Sequence, residues 1–189
     1  GSTSNGVARI NADGSLDSTF SVGTGPNAGI SALCEAPDGK LYVGGEYITF
    51  NGVTISGIIR LNTDGSRDTS FAPVSGITAH GGGGRQVHSC QIQSDGKVLL
   101  GGYFAGYDGH ISNSIVRVNS DGSFDATFNS PAGLSDYVLD IRGIGLLPDG
   151  RIVIGGLASY IELTSAVILN SDGSIDTVFS NPPEFDVVV

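Results

Sequence analysis

The chain has 189 residues, with nine Lys and Arg against nineteen Asp and Glu and a formal net charge of −10. That balance argues against a nucleic-acid partner and against binding an anionic membrane. No apolar run approaches the roughly 20 residues a helical membrane insertion needs. Thirty glycines and seven prolines imply many turns, and with no Met or Trp the core falls to Val, Ile, Leu and Phe, a mixture that suits β-sheet.

Gly1-Ser2 reads as a cloning remnant and residues 1–6 as a linker, so any targeting signal is expected to lie outside the chain. The first element is 7–20. An apolar run ends in Asn11, then come Asp13-Gly14-Ser15, a variable residue, Asp17, two small or β-branched residues and Phe20. The stretch returns at 58–71, 115–128 and 166–179, with its closing residue at Phe71, Phe128 and Phe179. Spacings of 51, 57 and 51 residues point to a solenoid, a propeller or another array. A second unit alternates with the first, at 30–45, 87–102 and 141–156. Its skeleton is an apolar strand, Asp-Gly-Lys/Arg, three apolar residues and Gly-Gly. Asp-Gly between apolar runs is a hairpin signal, because the turn requires positive φ. The Gly-Gly pair suggests a bend or a close backbone approach.

Each repeat therefore holds up to four strands, as in 87–92, 98–101, 114–119 and a short 123–128. No stretch shows sustained helical periodicity. The expected fold is all-β, a β-propeller or partial propeller of repeated four-stranded antiparallel blades. It spans 7–189 as one domain, with a half unit 7–20, repeats 29–71, 86–128 and 138–179, and a C-terminal strand 185–189. The half unit and that strand could share a fourth blade short of its second strand. Alternatively, two chains complete each other, or neighbouring blades lie outside the sequence. Cys34 sits four residues before Asp38 and Cys90 five before Asp95, an offset that points them to opposite faces of equivalent strands. Both are expected as free, buried thiols, with the redox compartment undecided.

The segment 60–71, together with the upstream Asp38-Gly-Lys-Leu-Tyr-Val-Gly-Gly45 and Asn51-Gly52, resembles the delta-60 repeat, a β-propeller-like repeat of secreted bacterial proteins and phage tail-fibre proteins. The resemblance runs from Val7 to Phe179. The last copy departs from it, since Ile168 replaces the Arg found at 9, 60 and 117, which suggests packing at an end or an interface. Kelch repeats share the period and the Gly-Gly pair, but they carry a downstream Trp that this chain lacks. The resemblance implies a virion-tail, extracellular or cell-surface setting and supplies no catalytic residues.

The oxygen side chains Asn11, Asp13, Ser15 and Asp17 recur at alternate positions, as in calcium loops. The carboxylates of a calcium alternative are Asp13, Asp17, Asp64, Asp68, Asp121, Asp125, Asp172 and Asp176. Plain turns are preferred, because no bidentate Glu follows at the expected distance. His80, His88 and His110 lack a zinc spacing, Gly81-Gly-Gly-Gly84 lacks a phosphate-loop Lys and helix, and Asp136 with Asp140 is a poor carboxylate pair. No enzyme activity and no cofactor are expected.

The turns are nearly identical from copy to copy, whereas the two-three loops and inter-blade connections vary and are expected to share one face. They carry Arg85, Tyr107, Asp108, His110, Asp136 and Tyr137, rings beside carboxylates that suit sugar recognition. Tyr47, Tyr103 and Phe104, just after Gly-Gly, are expected to pack between blades. Phe20, Phe71, Phe128 and Phe179 are expected as core plugs. The function this favours is attachment to a host-surface glycan or protein, in a homo-oligomer or a longer fibre. The competing reading is a structural spacer of a bacterial surface protein.

Overall fold

The computed structural model describes residues 5–81, 83–130, 140–157 and 164–178, and every regular element among them is a β-strand. The first blade is β1 (Ile30–Glu35), β2 (Leu41–Gly45) and, after a small hairpin of β3 (Thr49–Phe50) and β4 (Val53–Thr54), β5 (Ile58–Leu61). β6 (Ile77–Thr78) lies in the connection to the second blade. That blade is β7 (Gln86–Ile92), β8 (Val98–Tyr103), the hairpin β9 (Gly106–Tyr107) and β10 (His110–Ile111), and β11 (Ile115–Val118). The third is β12 (Asp140–Leu146), β13 (Ile152–Leu157) and β14 (Thr164–Leu169). The sheet orders are β1-β2-β5, β7-β8-β11 and β12-β13-β14, all antiparallel meanders.

The Asp-Gly turns set this register. Gly39 N–H donates to Ala36 O and Ala36 N–H to Lys40 O, both at 2.8 Å. The turn closes because Gly39 takes φ +80°, where a side chain would be strained. The expected fourth strand is smaller than the sequence suggests. It is one bridge per copy, Ile10↔Leu16, Leu61↔Arg67, Val118↔Phe124 and Leu169↔Ile175. The reason is local. Asp68 N–H still donates to Arg60 O at 2.8 Å, but its carboxylate then accepts the Ser70 N–H at 2.9 Å and hydroxyl at 2.7 Å, turning the chain off the ladder.

The blades stack face to face, because alternate residues of each central strand serve different neighbours. Leu41 and Val43 pack with Phe20 and Val22 of the half unit, and Tyr42 packs with Val87, Val98 and Leu100. Leu99, one position over, joins Ile141, Ile152 and Ile154. Phe20, Phe71 and Phe128 each fill one of these three layers, and Phe179 lies outside the described residues. The paired glycines are contact points. A Cβ on Gly44 would lie 2.7 Å from Val87 Cγ1, and one on Gly101 would lie 2.6 Å from Ile141 Cγ2. No described strand joins the third blade to the N-terminal half unit, so the described sheets form an open array.

The cysteines are not free. Cys34 and Cys90 form a disulfide, with Cα atoms 6.0 Å apart. They do occupy opposite faces of equivalent strands, since Cys34 pairs with Tyr42 and Cys90 with Leu100, two positions one step out of register. In a stack, the rear face of one blade meets the front face of the next. The offset that separates two side chains on one sheet therefore brings them together across an interface.

Candidate functional site

Each Asn-x-Asp-Gly-Ser turn is closed by its own side chains. Asp64 Oδ1 accepts the Ser66 N–H at 2.9 Å and the Ser66 hydroxyl at 2.6 Å, and Asn62 Nδ2 donates to Ser66 Oγ at 3.0 Å. Asp13, Asp121 and Asp172 repeat this with Ser15, Ser123 and Ser174. The Ser66 hydroxyl and then its N–H hold the Asp64 carboxyl below the usual carboxylate range. In the second set, Asp17, Asp68, Asp125 and Asp176 each bond the backbone N–H two residues on. The Thr19 hydroxyl and N–H, with Arg9, lower the Asp17 carboxyl to about 2. The carboxylates of the calcium alternative thus bond donors of their own turns, and the described residues hold no group of three or more side chains placed to bind a metal.

Asp68 anchors a larger network. Its Oδ2 accepts Arg60 Nε at 2.7 Å and Lys40 Nζ at 2.9 Å, in a site where Arg60 is only 8% exposed. The guanidinium lies over the Phe71 ring, donates to Tyr42 Oη at 3.0 Å, and donates to Ser120 O of the next copy at 2.7 Å. Arg117 repeats the reach to Ser171 O at 2.7 Å, and Arg9 to Thr63 O. Arg9, Arg60 and Arg117 therefore each tie their own copy to the turn of the following one. Ile168 stands at this position in the last copy, where Asp176 instead takes Arg151 Nη1 at 2.8 Å.

Burial pushes the Asp68 carboxyl up, but hydrogen bonds from Ser70, Lys40 and Arg60 outweigh it and hold the group well below the usual range. Asp125 is held the same way by Thr127, Lys97 and Arg117. With folded pKa values below the unfolded value of about 4, both groups contribute stability that is present above that pH and lost as pH falls toward the folded values. Urea unfolding should give a constant midpoint from pH 7 to 5 and a falling one below about pH 4. Asp68→Asn should flatten that acid limb, and an unchanged limb would contradict the assignment.

The varied loops are less free than their composition suggests. Tyr107 is fully buried in the layer between the first two blades, and its Oη donates to Gly122 O at 2.6 Å. It presents no ring to solvent for a sugar. Asp108 takes φ +47° and turns its carboxylate onto the inter-blade connection, accepting Val74 N–H at 2.9 Å and Ser75 and Gly76 N–H at 2.7 Å each. Asn51 plays the matching role one blade earlier, with φ +50° and a 2.8 Å bond from Gly25 N–H. His110 is exposed and stacks on Phe124, with ring centroids 4.1 Å apart. The two-three hairpin thus folds along the outside of its own blade to the three-four turn, so the expected division into two separate faces does not hold. Strands of only four to seven residues leave the loops within reach of those turns.

Arg85 is half-buried. His80 lies against Tyr103, with centroids 4.6 Å apart, in the turn closed by Gly83 N–H to His80 O at 3.0 Å. Phe104 is buried between the first two blades, and Tyr47 between the half unit and the first blade. Asp136 and Tyr137 lie outside the described residues. Asp140 meets His88 Nε2 and Arg142 Nε, each at 3.1 Å. The structure thus leaves His110 exposed and Arg85 half-buried, takes Tyr107 into the core and sets the Asp108 carboxylate against the connection at 74–76.

Stacked antiparallel meanders, tied by Asp-Gly turns and one Phe per layer, define a repeat array of the β-propeller class. The chain belongs to the family described as "Domain of unknown function (DUF5122) beta-propeller", whose model matches residues 1–20, 36–71, 93–128 and 147–179. The last three matched segments run from the Asp-Gly-Lys/Arg turn to the closing Phe and leave the first strand of each blade outside. No curated protein matches the chain. Among solved structures, the chain is similar to a protein of unknown function from Bacteroides caccae, at 14% identity and a TM-score of 0.36, over 92% of this chain and 74% of that one.

Proposed function

We propose that the chain is a non-enzymatic attachment module of a surface-borne protein, in the extracellular space or on a virion tail, and that its repeats are of the delta-60 type. The observation that carries this reading is a set of loops held rigid from beneath yet apolar on top. Asp108 fixes the connection at 74–76, while Val74 is 90% exposed and Ile111, three residues past Asp108, is 84% exposed. Exposed apolar side chains on a pre-organised backbone lose little entropy on binding, which favours a glycan or protein surface as partner. His110, next to Ile111 in the chain and exposed, adds a hydrogen-bonding group.

The test is binding of the whole chain to bacterial cells and to isolated cell-wall glycans. Val74→Asp with Ile111→Asp should weaken binding by roughly tenfold or more, the scale of a lost interface anchor, and leave Tm unchanged. A wild-type chain that binds neither surface overturns the reading. A structural spacer is the second reading, favoured by the Cys34–Cys90 cross-link between blades, which suits load-bearing in an oxidising compartment. It expects no such binding.

A further inference from the structure

The hairpins β3–β4 and β9–β10 carry equivalent turns that differ in one side-chain atom. Asn51-Gly52 and Asp108-Gly109 form them, with φ of +50° and +74° in the first and +47° and +82° in the second. Asn51 N–H donates to Gly25 O and Asp108 N–H to Gly76 O, both at 2.9 Å. Gly23, Thr24 and Gly25 thus stand where Val74, Ser75 and Gly76 stand one blade later. Asn51 Oδ1 accepts the Gly25 N–H at 2.8 Å and the Thr24 hydroxyl at 3.1 Å. Asp108 Oδ1 likewise accepts the Gly76 N–H at 2.7 Å and the Ser75 hydroxyl at 3.3 Å. The second side-chain atom is where they part. Asp108 Oδ2 accepts the Val74 N–H at 2.9 Å. Asn51 Nδ2 instead lies over Gly23, 3.0 Å from a Cβ placed there, and an NH2 group cannot accept from the main chain. Among the described residues it donates to none.

We propose that Asn51-Gly52 is a self-modifying site, at which the asparagine converts to the acid that the second blade already carries at 108. The groups for the reaction are in place. Gly52 is exposed, has no side chain to shield its nitrogen, and its N–H donates to none of the described residues. That nitrogen forms a bond to Asn51 Cγ and gives its proton to solvent, closing a five-membered succinimide. The Cγ–Nδ2 bond breaks and Nδ2 leaves as ammonia. Water then adds at Cγ and the bond from Cγ to the Gly52 nitrogen breaks, which restores the original main chain and leaves a carboxylate. The Gly25 N–H and the Thr24 hydroxyl already bond Oδ1, the atom on which negative charge grows as Cγ becomes tetrahedral. Nucleophile and electrophile sit on neighbouring residues, so no encounter is needed. The product carboxylate accepts from Gly23 as Asp108 accepts from Val74. Conversion therefore tightens the connection between the half unit and the first blade.

The test is to hold the whole folded chain in mildly alkaline buffer and follow it by peptide mapping, which separates Asn51 from the other Asn-Gly pair, Asn5-Gly6. The Asn51 peptide should gain the mass of an amide-to-acid change, with aspartate as the main product. Thr24→Val, which keeps the shape and removes the hydroxyl, should slow the conversion several-fold. Asn51→Asp should raise Tm by about 2–4 °C, the scale of one net hydrogen bond. An Asn51 that stays intact while a free peptide of residues 47–55 converts overturns the proposal. So does isoaspartate as the main product, since it lengthens the main chain of the turn. Equal rates in the wild type and Thr24→Val overturn the part given to the donors, and a lowered Tm for Asn51→Asp overturns the bracing.

Discussion

Phe71→Ala is expected to lower the unfolding free energy by about 3–5 kcal/mol, the range for a buried aromatic. Phe71 is 1% exposed, meets the Tyr42 ring edge-on at 5.2 Å and lies under the Arg60 guanidinium. Truncation leaves a cavity between two sheets that are tied to their turns and cannot close freely around it. It also removes the surface on which Arg60 lies, weakening the bonds to Asp68 and Ser120 O. Stability in an array is a sum of unit and nearest-neighbour terms, so the damage should stay local. Hydrogen exchange should quicken in β5, β7 and β8 and much less in β13. A change under about 1 kcal/mol in urea unfolding would contradict the plug assignment.

Loss of the Cys34–Cys90 bond is expected to have an effect of similar size. The cysteines are 56 residues apart, and closing a loop of that length is worth about 4 kcal/mol in the chain-entropy model. Cys34→Ser should therefore lower Tm by roughly 10 °C at 2–4 °C per kcal/mol for a chain of this size. Dithiothreitol should shift the wild-type chain by the same amount and the variant not at all. The bond holds the first two blades in contact even when Phe71 or Tyr42 is perturbed, so Cys34→Ser with Phe71→Ala should lose more than the two separate effects summed. Thiol titration of the denatured, unreduced chain should find no free thiol. Two free thiols would remove the bond.

The fold was legible because its signals repeat. Asp13, Asp64, Asp121 and Asp172 sit in identical turns, and Phe20, Phe71 and Phe128 mark each layer, so one correct local reading applied throughout. The strand expected at 87–92 is β7, within one residue of its observed start. The errors came from reasoning about one sheet at a time. Cys34 and Cys90 looked incompatible because opposite faces of a strand diverge, and only the stacking of blades makes them meet. Tyr107 and Asp108 looked like site residues because they lie in a loop of varied composition. A signal for their true role was present. Tyr47-Ile-Thr-Phe50-Asn51-Gly52 and Phe104-Ala-Gly-Tyr107-Asp108-Gly109 are one pattern, an inward ring followed by a positive-φ capping residue. What these loops touch outside the chain leaves no such internal echo, since a partner's chemistry imposes no period on the sequence.

The acceptor at the far end of each Arg reach is a main-chain carbonyl, at Thr63, Ser120 and Ser171. Every residue type supplies that group, so the receiving copy is under no side-chain demand at the joint. A duplicate of any of the first three copies would bring its own arginine and find a carbonyl in place. At this bond, repeat number can thus change without a compensating side-chain change in the receiving copy.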